Sequence, residues 1–144
     1  MGVSQAMKYT IVKPHYISQS MARRHFSRAF DRLTPEDKPK AFKNMLDKLQ
    51  AGRAVWYHIQ GKGVDLHLVT SVNGAGVFVI DAIAGKGMLI AAPDIIRRAR
   101  SMGYPAMQYE TRKKGMRKML QRYGFVVAGT FEDGSTVHRK HLNG

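Results

Sequence analysis

The amino-acid sequence predicts an α/β (α+β) protein in which a mixed sheet carries helices on its faces. Three observations predict this class. Hydrophobic spacing changes along the chain from helical to strand-like and back to helical. Three β-rich runs in the middle are separated by short connectors that contain glycine, which is typical of an antiparallel meander. The 144 residues suffice for one adequate core, so we expect a single domain over 1–144.

The first third of the chain predicts one strand and two helices. Lys8–Lys13 is a short β-rich run stopped by a proline. Ser18–Leu33 carries apolar residues at helical spacing, which predicts the first helix. Thr34 can cap a second helix and Pro35 suits its first turn, and this helix runs to Gly52.

Three consecutive strands are predicted next, at Ala54–Gln60, Val64–Val72 and Val77–Ala84. The third is almost wholly apolar, as expected for a central strand covered on both faces. His58 and His67 could face each other across the first hairpin. Without further ligands the pair does not predict a metal site, and we expect none.

Helical spacing returns over Met88–Met102, and Gly103 ends the pattern. Pro93 falls inside it, and proline lacks the N–H and clashes with the carbonyl four residues earlier. The helix should therefore begin late, near Ile90–Ala92, or be kinked.

The last third predicts a strand, a helix and a hairpin. The strand is Ala106–Thr111 and the helix is Gly115–Tyr123. Phe125–Phe131 and Val137–Leu142 form the hairpin across Glu132–Ser135.

The composition is strongly basic and contains no cysteine. Twenty-four Lys and Arg residues against ten Asp and Glu give a formal charge of +14. Such a surface attracts polyanions, for example nucleic acid or an acidic protein surface. The lack of cysteine excludes disulfides, cysteine zinc sites and a thiol nucleophile. The start of the chain has no long apolar segment, so we expect neither a signal peptide nor a membrane span, and a cytoplasmic protein or one packaged from the cytosol.

The segment Ala82–Gly87 (AIAGKG) places two glycines between an apolar strand and an amphipathic helix. Small residues let a backbone approach a pyrophosphate, and the N–H groups at a helix start stabilise its charge. An ordinary strand–helix turn is the alternative. The candidate phosphate-binding residues are Ile83, Gly85, Lys86, Gly87 and Met88.

The element order, this loop and the later Tyr123-Gly124-Phe125 together resemble the GNAT-fold N-acyltransferases, most of all the short GNAT-like proteins of bacterial viruses. The family loop has the pattern Gln/Arg-x-x-Gly-x-Gly/Ala, and its two small positions match Gly85 and Gly87. The resemblance implies a mostly antiparallel sheet of six to seven strands with helices on both faces. It also implies acetyl-CoA as cofactor, direct attack of an amine on the thioester, and a fourth strand whose backbone polarises the carbonyl.

Three departures from the family pattern bear on activity. Ala82 stands where the family has Gln or Arg, so one side-chain anchor is missing. Pro93 interrupts the helix after the loop. Lys113 and Leu120 occupy positions that often hold Asn and the Tyr that reprotonates the leaving thiolate.

Acyl transfer needs a neutral amine, so a general base must remove a proton from it. We expect this base to be a carboxylate or a histidine near the open strand ends. Asp65, His67, Asp81 and Glu110 are the candidates. Asp81 stands out because burial on an apolar strand would raise its pKa, although an ion pair is the alternative. Tyr123 is the hydroxyl nearest in sequence to the missing acid, with core packing as its alternative role.

A basic cluster runs from Arg97 to Arg122, with nine Lys and Arg residues and one acid. These cations could meet cofactor phosphates, contact nucleic-acid phosphates, or form a solvated helix face. The candidates are Arg97, Arg98, Lys113, Lys114, Arg117, Lys118 and Arg122.

Two functions follow as hypotheses. The first is an acyl-CoA-dependent N-acetyltransferase-like protein that acts on an amine of an acceptor associated with a polyanion. The second is a catalytically inactive GNAT-like protein of a virus, DNA-associated or part of a virion and able to form homo-oligomers, with the host cytoplasm or the virion as its location.

Overall fold

The computed structural model describes residues 7–31 and 33–143. Seven strands form one mixed sheet in the order β1-β2-β3-β4-β5-β7-β6. The strands are β1 (Lys8–Val12), β2 (Ala54–Gly61), β3 (Val64–Val72), β4 (Phe78–Lys86), β5 (Ala106–Thr111), β6 (Val126–Thr130) and β7 (Thr136–His141). The helices are α1 (Gln19–Phe26), α2 (Asp37–Gln50), α3 (Met88–Ser101) and α4 (Lys114–Arg122), with a short 3₁₀ turn at Pro14–Tyr16. The predicted fold class is confirmed.

The sheet buries a separate hydrophobic core on each face. One core packs the apolar stripes of α3 and α4, including Ile95 and Leu120, against Leu66 and Leu68 of β3. The other core packs α1 and α2 around the fully buried Trp56 of β2. Because β3 and β4 contribute to both cores, the third predicted strand is central, as its apolar sequence indicated.

The parallel pairing of β4 and β5 is short. It joins only three residue pairs, from Phe78↔Met107 to Ile80↔Tyr109. Beyond these pairs the strands diverge, and Ala82–Lys86 is paired with β3 but not with β5. We call this divergence the splay.

A β-bulge marks the start of the splay. Thr70 of β3 pairs with Ile80 and the adjacent Val69 pairs with Ala82, so Asp81 is an extra residue on β4. A bulge of this kind bends its strand and re-aims the following side chains. Accordingly Ile80 lies in the α3–α4 core, whereas Ala82 lies in the opposite core.

Two predicted helix boundaries are wrong. The first helix was expected to reach Leu33 but ends at Phe26, and i→i−3 bonds such as Ala29 N to Phe26 O form tight turns instead. These turns still bury Phe30, the residue that a longer helix would also have buried. For the third helix a late start or a kink was expected, and the late start is wrong, because α3 begins at Met88.

Two other local predictions, the Thr34 cap and the facing histidines, are confirmed. The Thr34 hydroxyl accepts a hydrogen bond from the Asp37 amide at 3.1 Å before α2. His58 and His67 are paired across β2 and β3. No helix in the described part of the chain has the length and apolar character needed to span a membrane. Residues 1–6, which contributed to the expectation of no leader, lie outside the described residues.

Candidate active site at the β4–β5 splay

The predicted phosphate loop is largely strand. Gly85 pairs with Leu66 and Lys86 pairs with Asp65, so β4 continues through both and only Gly87 separates it from α3. The expectation of a loop from position 83 is therefore wrong, because pairing with β3 extends the strand by two residues beyond its apolar run.

Packing explains the two glycines. Gly85 and Gly87 have φ values of 104° and 93°, a region that L side chains rarely adopt. A Cβ on Gly85 would lie 2.3 Å from the carbonyl oxygen of Asp65, and one on Gly87 would lie 2.4 Å from that of Gly63. The backbone at both positions lies so close to β3 and to the β2–β3 turn that only glycine fits. This requirement holds whether or not the segment binds a phosphate.

The N-terminus of α3 presents backbone donors at the end of β4. The carbonyl of Gly87 accepts from the amides of Ile90 (3.1 Å) and Ala91 (2.9 Å). The earlier amides of Met88 and Leu89 have no acceptor one turn back, and none is recorded for them among the described residues. These two amides and the exposed Lys86 form the anion-attracting end of the splay.

Pro93 lies inside α3, in its second turn. The carbonyl that a helical amide at this position would bond is that of Leu89, and proline cannot donate to it. The hydroxyl of Tyr123, at the end of α4, donates to this carbonyl at 3.0 Å. Tyr123, predicted as a catalytic candidate or a packing residue, thus bridges α4 to α3.

The space between α3, α4 and the splayed strands is narrow, and we call it the α3–α4 gap. Its free volume is about 10 Å³. Leu120, at the position of the family's tyrosine, lies in its wall and is 3% exposed. Other residues of the wall include Ile83, Met88, Tyr109, Met116 and Tyr123.

A larger cleft, the α1 cleft, lies on the opposite side of the splay. Its volume is about 490 Å³. Ile83 and Tyr109 line both the α1 cleft and the α3–α4 gap, so the two cavities meet at the splay. The α1 cleft is lined by Arg24, His25, Ser27, Arg28, Ala29, Ile83, Ala84, Gly85, Tyr109, Glu110, Thr111, Arg112 and Lys113.

Three histidines are in contact next to this cleft, and one of them, His25, lines it. His25 of α1 lies 4.0 Å from His67, and His67 lies 4.3 Å from His58, measured between ring centroids. The indole N–H of Trp56 donates to Nδ1 of His67 at 3.0 Å. Nε2 of His58 lies 2.6 Å from Oδ1 of Asp65.

These contacts determine the charge of the histidines. Burial, together with its two histidine neighbours, lowers the pKa of His67 to about 4. Burial, with help from Arg24, also lowers the pKa of His25. Both rings are therefore neutral at pH 7, whereas the hydrogen bond from His58 lowers the pKa of Asp65 and keeps it ionised.

His58, Asp65 and His67 place ligand atoms within 4.8 Å of one another, which is compatible in distance with a metal ion. The Trp56 hydrogen bond opposes this role. Because Nδ1 of His67 accepts that bond, Nε2 carries the ring proton and is a donor, not a ligand. The expectation of no metal stays a prediction that this tautomer favours.

The predicted acids fall into different places. Glu110 lines the α1 cleft and accepts a hydrogen bond from the Ser135 hydroxyl at 3.1 Å. Asp81 lies on the α2 side of the bulge in a separate cavity with Lys48 and Ser71. Burial raises the pKa of Asp81, while Ser71 and Lys48 oppose the rise. Its Oδ2 is buried without a hydrogen-bond partner among the described residues.

The seven basic candidates also lie in different environments. Arg97 and Arg98 both pair with Asp94, so part of their charge is neutralised on α3. Arg117 donates to the carbonyl of Gly134 at 2.6 Å. Lys113 lines the α1 cleft. The remaining three, Lys114, Lys118 and Arg122, are exposed at intervals of four residues along α4.

The arrangement of the seven-stranded sheet, the splay and the helix that follows it is the GNAT fold, shared with several acetyltransferases of known structure. A Bacillus subtilis acetyltransferase in complex with CoA superposes with a TM-score of 0.66 at 14% identity, covering 96% of this chain and 100% of that one. The ribosomal-protein-S18-alanine N-acetyltransferase from Escherichia coli gives 0.64 at 15% identity, covering 96% of each chain. A GNAT family acetyltransferase from Elizabethkingia anophelis with acetyl-CoA bound gives 0.62 at 12% identity, covering 94% of this chain and 97% of that one. No protein-family model and no curated protein matches the sequence.

Sequence reasoning missed two residues of the site. His25 lies among arginines on a short helix, and its contact with His67 depends on how α1 packs on β3. Tyr109 belongs to a predicted strand, but its place between the two cavities depends on where β4 and β5 separate. Neither feature has a local pattern in the sequence.

Proposed function

We propose that this protein is an acyl-CoA-dependent N-acyltransferase, with its acyl donor along the open edge of β4 and its amine acceptor in the α1 cleft. One observation carries the proposal. The splay leaves Asp81–Lys86 without a partner toward β5, directly before the donor end of α3. An open strand edge supplies amide donors for a carbonyl, and a helix start supplies amide donors for phosphate.

The chain's residues fit the cofactor at this edge. The amides of Met88 and Leu89, with the exposed side chain of Lys86, would hold its phosphates. When bound, acyl-CoA supplies an activated thioester. The α3–α4 gap, with a volume of about 10 Å³, is too small for any part of acyl-CoA. The cofactor could enter between the helices only if the contact of Tyr123 with Leu89 opened.

Two groups in the α1 cleft can accept a proton from the amine. His25 is neutral at pH 7 because burial and Arg24 lower its pKa, so its imidazole is a competent base. Glu110 is the second candidate in the same cleft. Asp81 remains a predicted base, but it lies in a different cavity.

The leaving thiolate also needs a proton donor, at the point where the two cavities meet. Leu120 provides no hydroxyl, and the hydroxyl of Tyr123 is engaged with Leu89. Tyr109 lines both cavities, and we assign its phenol this role.

The test is a calorimetric titration with acetyl-CoA, together with a thermal melt. We expect binding, and stabilisation of about 2.7 kcal/mol at a concentration of one hundred times Kd. Lys86→Glu should weaken binding at least tenfold, whereas Lys40→Glu, an equal charge change at an exposed site on α2, should not. Neither heat nor a raised melting temperature at millimolar acetyl-CoA would contradict the proposal.

A second candidate function is polyanion binding without catalysis. The exposed residues Lys114, Lys118 and Arg122 form no ion pair within the described residues, and the α3–α4 gap is narrow. Duplex DNA should then bind with an affinity that falls steeply with salt, and Lys114→Glu with Lys118→Glu should weaken it. An affinity that does not change with salt would remove this candidate. A viral origin and a place in a virion stay predictions from the sequence resemblance alone.

A further inference from the structure

We propose that the α1 cleft binds an acceptor amine that also carries an anionic group, a phosphate or a carboxylate. This inference rests on the proposed acyl transfer and names the class of its acceptor. It depends on the charge that surrounds the cleft, on the volume of the cleft and on the place of His25.

The cations that line the cleft come from two different segments of the chain. Arg24 and Arg28 come from α1 and the turn after it, and Arg112 and Lys113 come from the end of β5. Among the described residues that line the cleft, Glu110 is the single carboxylate.

An exposed acid close to these cations, Asp31, already has a partner of its own. Asp31 forms an ion pair with Lys38, and Arg28 and Lys113 act on it only as more distant charges that lower its pKa. A ligand inside the cleft therefore experiences a positive field.

The volume of about 490 Å³ suits a small molecule. A purely cationic amine would be repelled by four positive side chains. An anionic group on the same molecule reverses that interaction, because guanidinium groups bind phosphate and carboxylate through paired, charge-assisted hydrogen bonds.

The same charge assists the chemistry. A positive field lowers the pKa of an incoming ammonium, so more of the amine is in the neutral, nucleophilic form. His25 lies in the cleft beside Arg24, where it can take the released proton. The cations thus select the acceptor by its anionic end and prepare its amine for attack.

The first arm of the test measures binding without acetyl-CoA. Three small amines of matched length serve as probes: ethanolamine, β-alanine and O-phosphoethanolamine. We expect O-phosphoethanolamine to bind at least tenfold more tightly than ethanolamine, with β-alanine between them. Equal binding of all three, or tightest binding of ethanolamine, would overturn the inference.

The second arm uses Arg24→Gln and Lys113→Gln, with Lys40→Gln as the matched control on α2. Each cleft variant should weaken O-phosphoethanolamine three- to tenfold and leave acetyl-CoA affinity unchanged, and the control should change neither. If the cleft variants weaken acetyl-CoA instead, these cations hold the cofactor's phosphates and the inference is wrong.

The third arm measures thiol release from acetyl-CoA in the presence of each probe. Turnover with O-phosphoethanolamine or β-alanine above that with ethanolamine supports the inference. Failure of acyl transfer as a function has a different signature, since acetyl-CoA then fails to bind or react while the selective binding of anionic amines persists.

Discussion

The contact between Tyr123 and Leu89 gives a quantitative prediction about the cost of a proline inside α3. Pro93 removes the amide that would bond the Leu89 carbonyl, and the Tyr123 hydroxyl donates to that carbonyl at 3.0 Å. If the phenol replaces the missing amide, Tyr123→Phe and Pro93→Ala must be coupled in their effects on stability.

The expected magnitudes follow from these contacts. In the native sequence, Tyr123→Phe leaves a helical carbonyl without its donor and should lower the free energy of unfolding by about 1 kcal/mol. Pro93→Ala restores an amide and removes a ring clash, so it should raise that free energy, by up to about 3 kcal/mol. With Ala at position 93, Tyr123→Phe should cost less than about 0.5 kcal/mol, because the carbonyl already has a donor.

The assay is urea denaturation of the four proteins of this double-mutant cycle, with unfolding monitored by circular dichroism. Tyr16→Phe is the control, because this tyrosine is 68% exposed. Its loss of a hydroxyl should change stability by less than about 0.5 kcal/mol in either background. An equal cost of Tyr123→Phe in both backgrounds would refute the assigned role.

Three further predictions concern other parts of the site. Gly85→Ala should lower the free energy of unfolding by at least about 2 kcal/mol, since φ is 104° and the new Cβ would lie 2.3 Å from the Asp65 carbonyl oxygen. Gly115→Ala would place its new Cβ in open space on α4, so it should instead raise this free energy by about 0.5 kcal/mol. Urea denaturation measures both variants, and equal effects would contradict the packing argument. The pKa of His67 is about 4 when folded and about 6.5 when unfolded, so the unfolded chain binds more protons between these values and stability falls as pH drops from 6.5 to 4. His67→Gln should reduce that fall in a series of denaturation curves, and an unchanged pH profile would show that other groups cause it.

The fold could be predicted from the sequence because its signals are local. The period of the hydrophobic pattern changes at each boundary between helices and strands, and the glycine connectors specify the meander. The first helix was overestimated for a related reason. Phe26 and Phe30 are four residues apart and both buried, and successive tight turns satisfy that spacing as well as a helix does.

The candidate site could be predicted only in part. Gly85 and Gly87 indicated a special backbone, but their packing against Asp65 and Gly63 depends on strand register. The neutral state of His67 depends on its burial and on its histidine neighbours, which the fold brings together from α1 and β2. Long-range contacts of this kind leave no periodic trace in a single sequence.

The three-pair junction of β4 with β5 has a mechanical consequence. It divides the sheet into two leaves, one of strands β1 to β4 and the other of β5, β7 and β6, which share few hydrogen bonds. Each leaf is stiff because its own strands pair over five or more residues, or over four at the β6 edge. A ligand that widened the splay would therefore break few hydrogen bonds of the sheet, because the pairing within each leaf can stay intact.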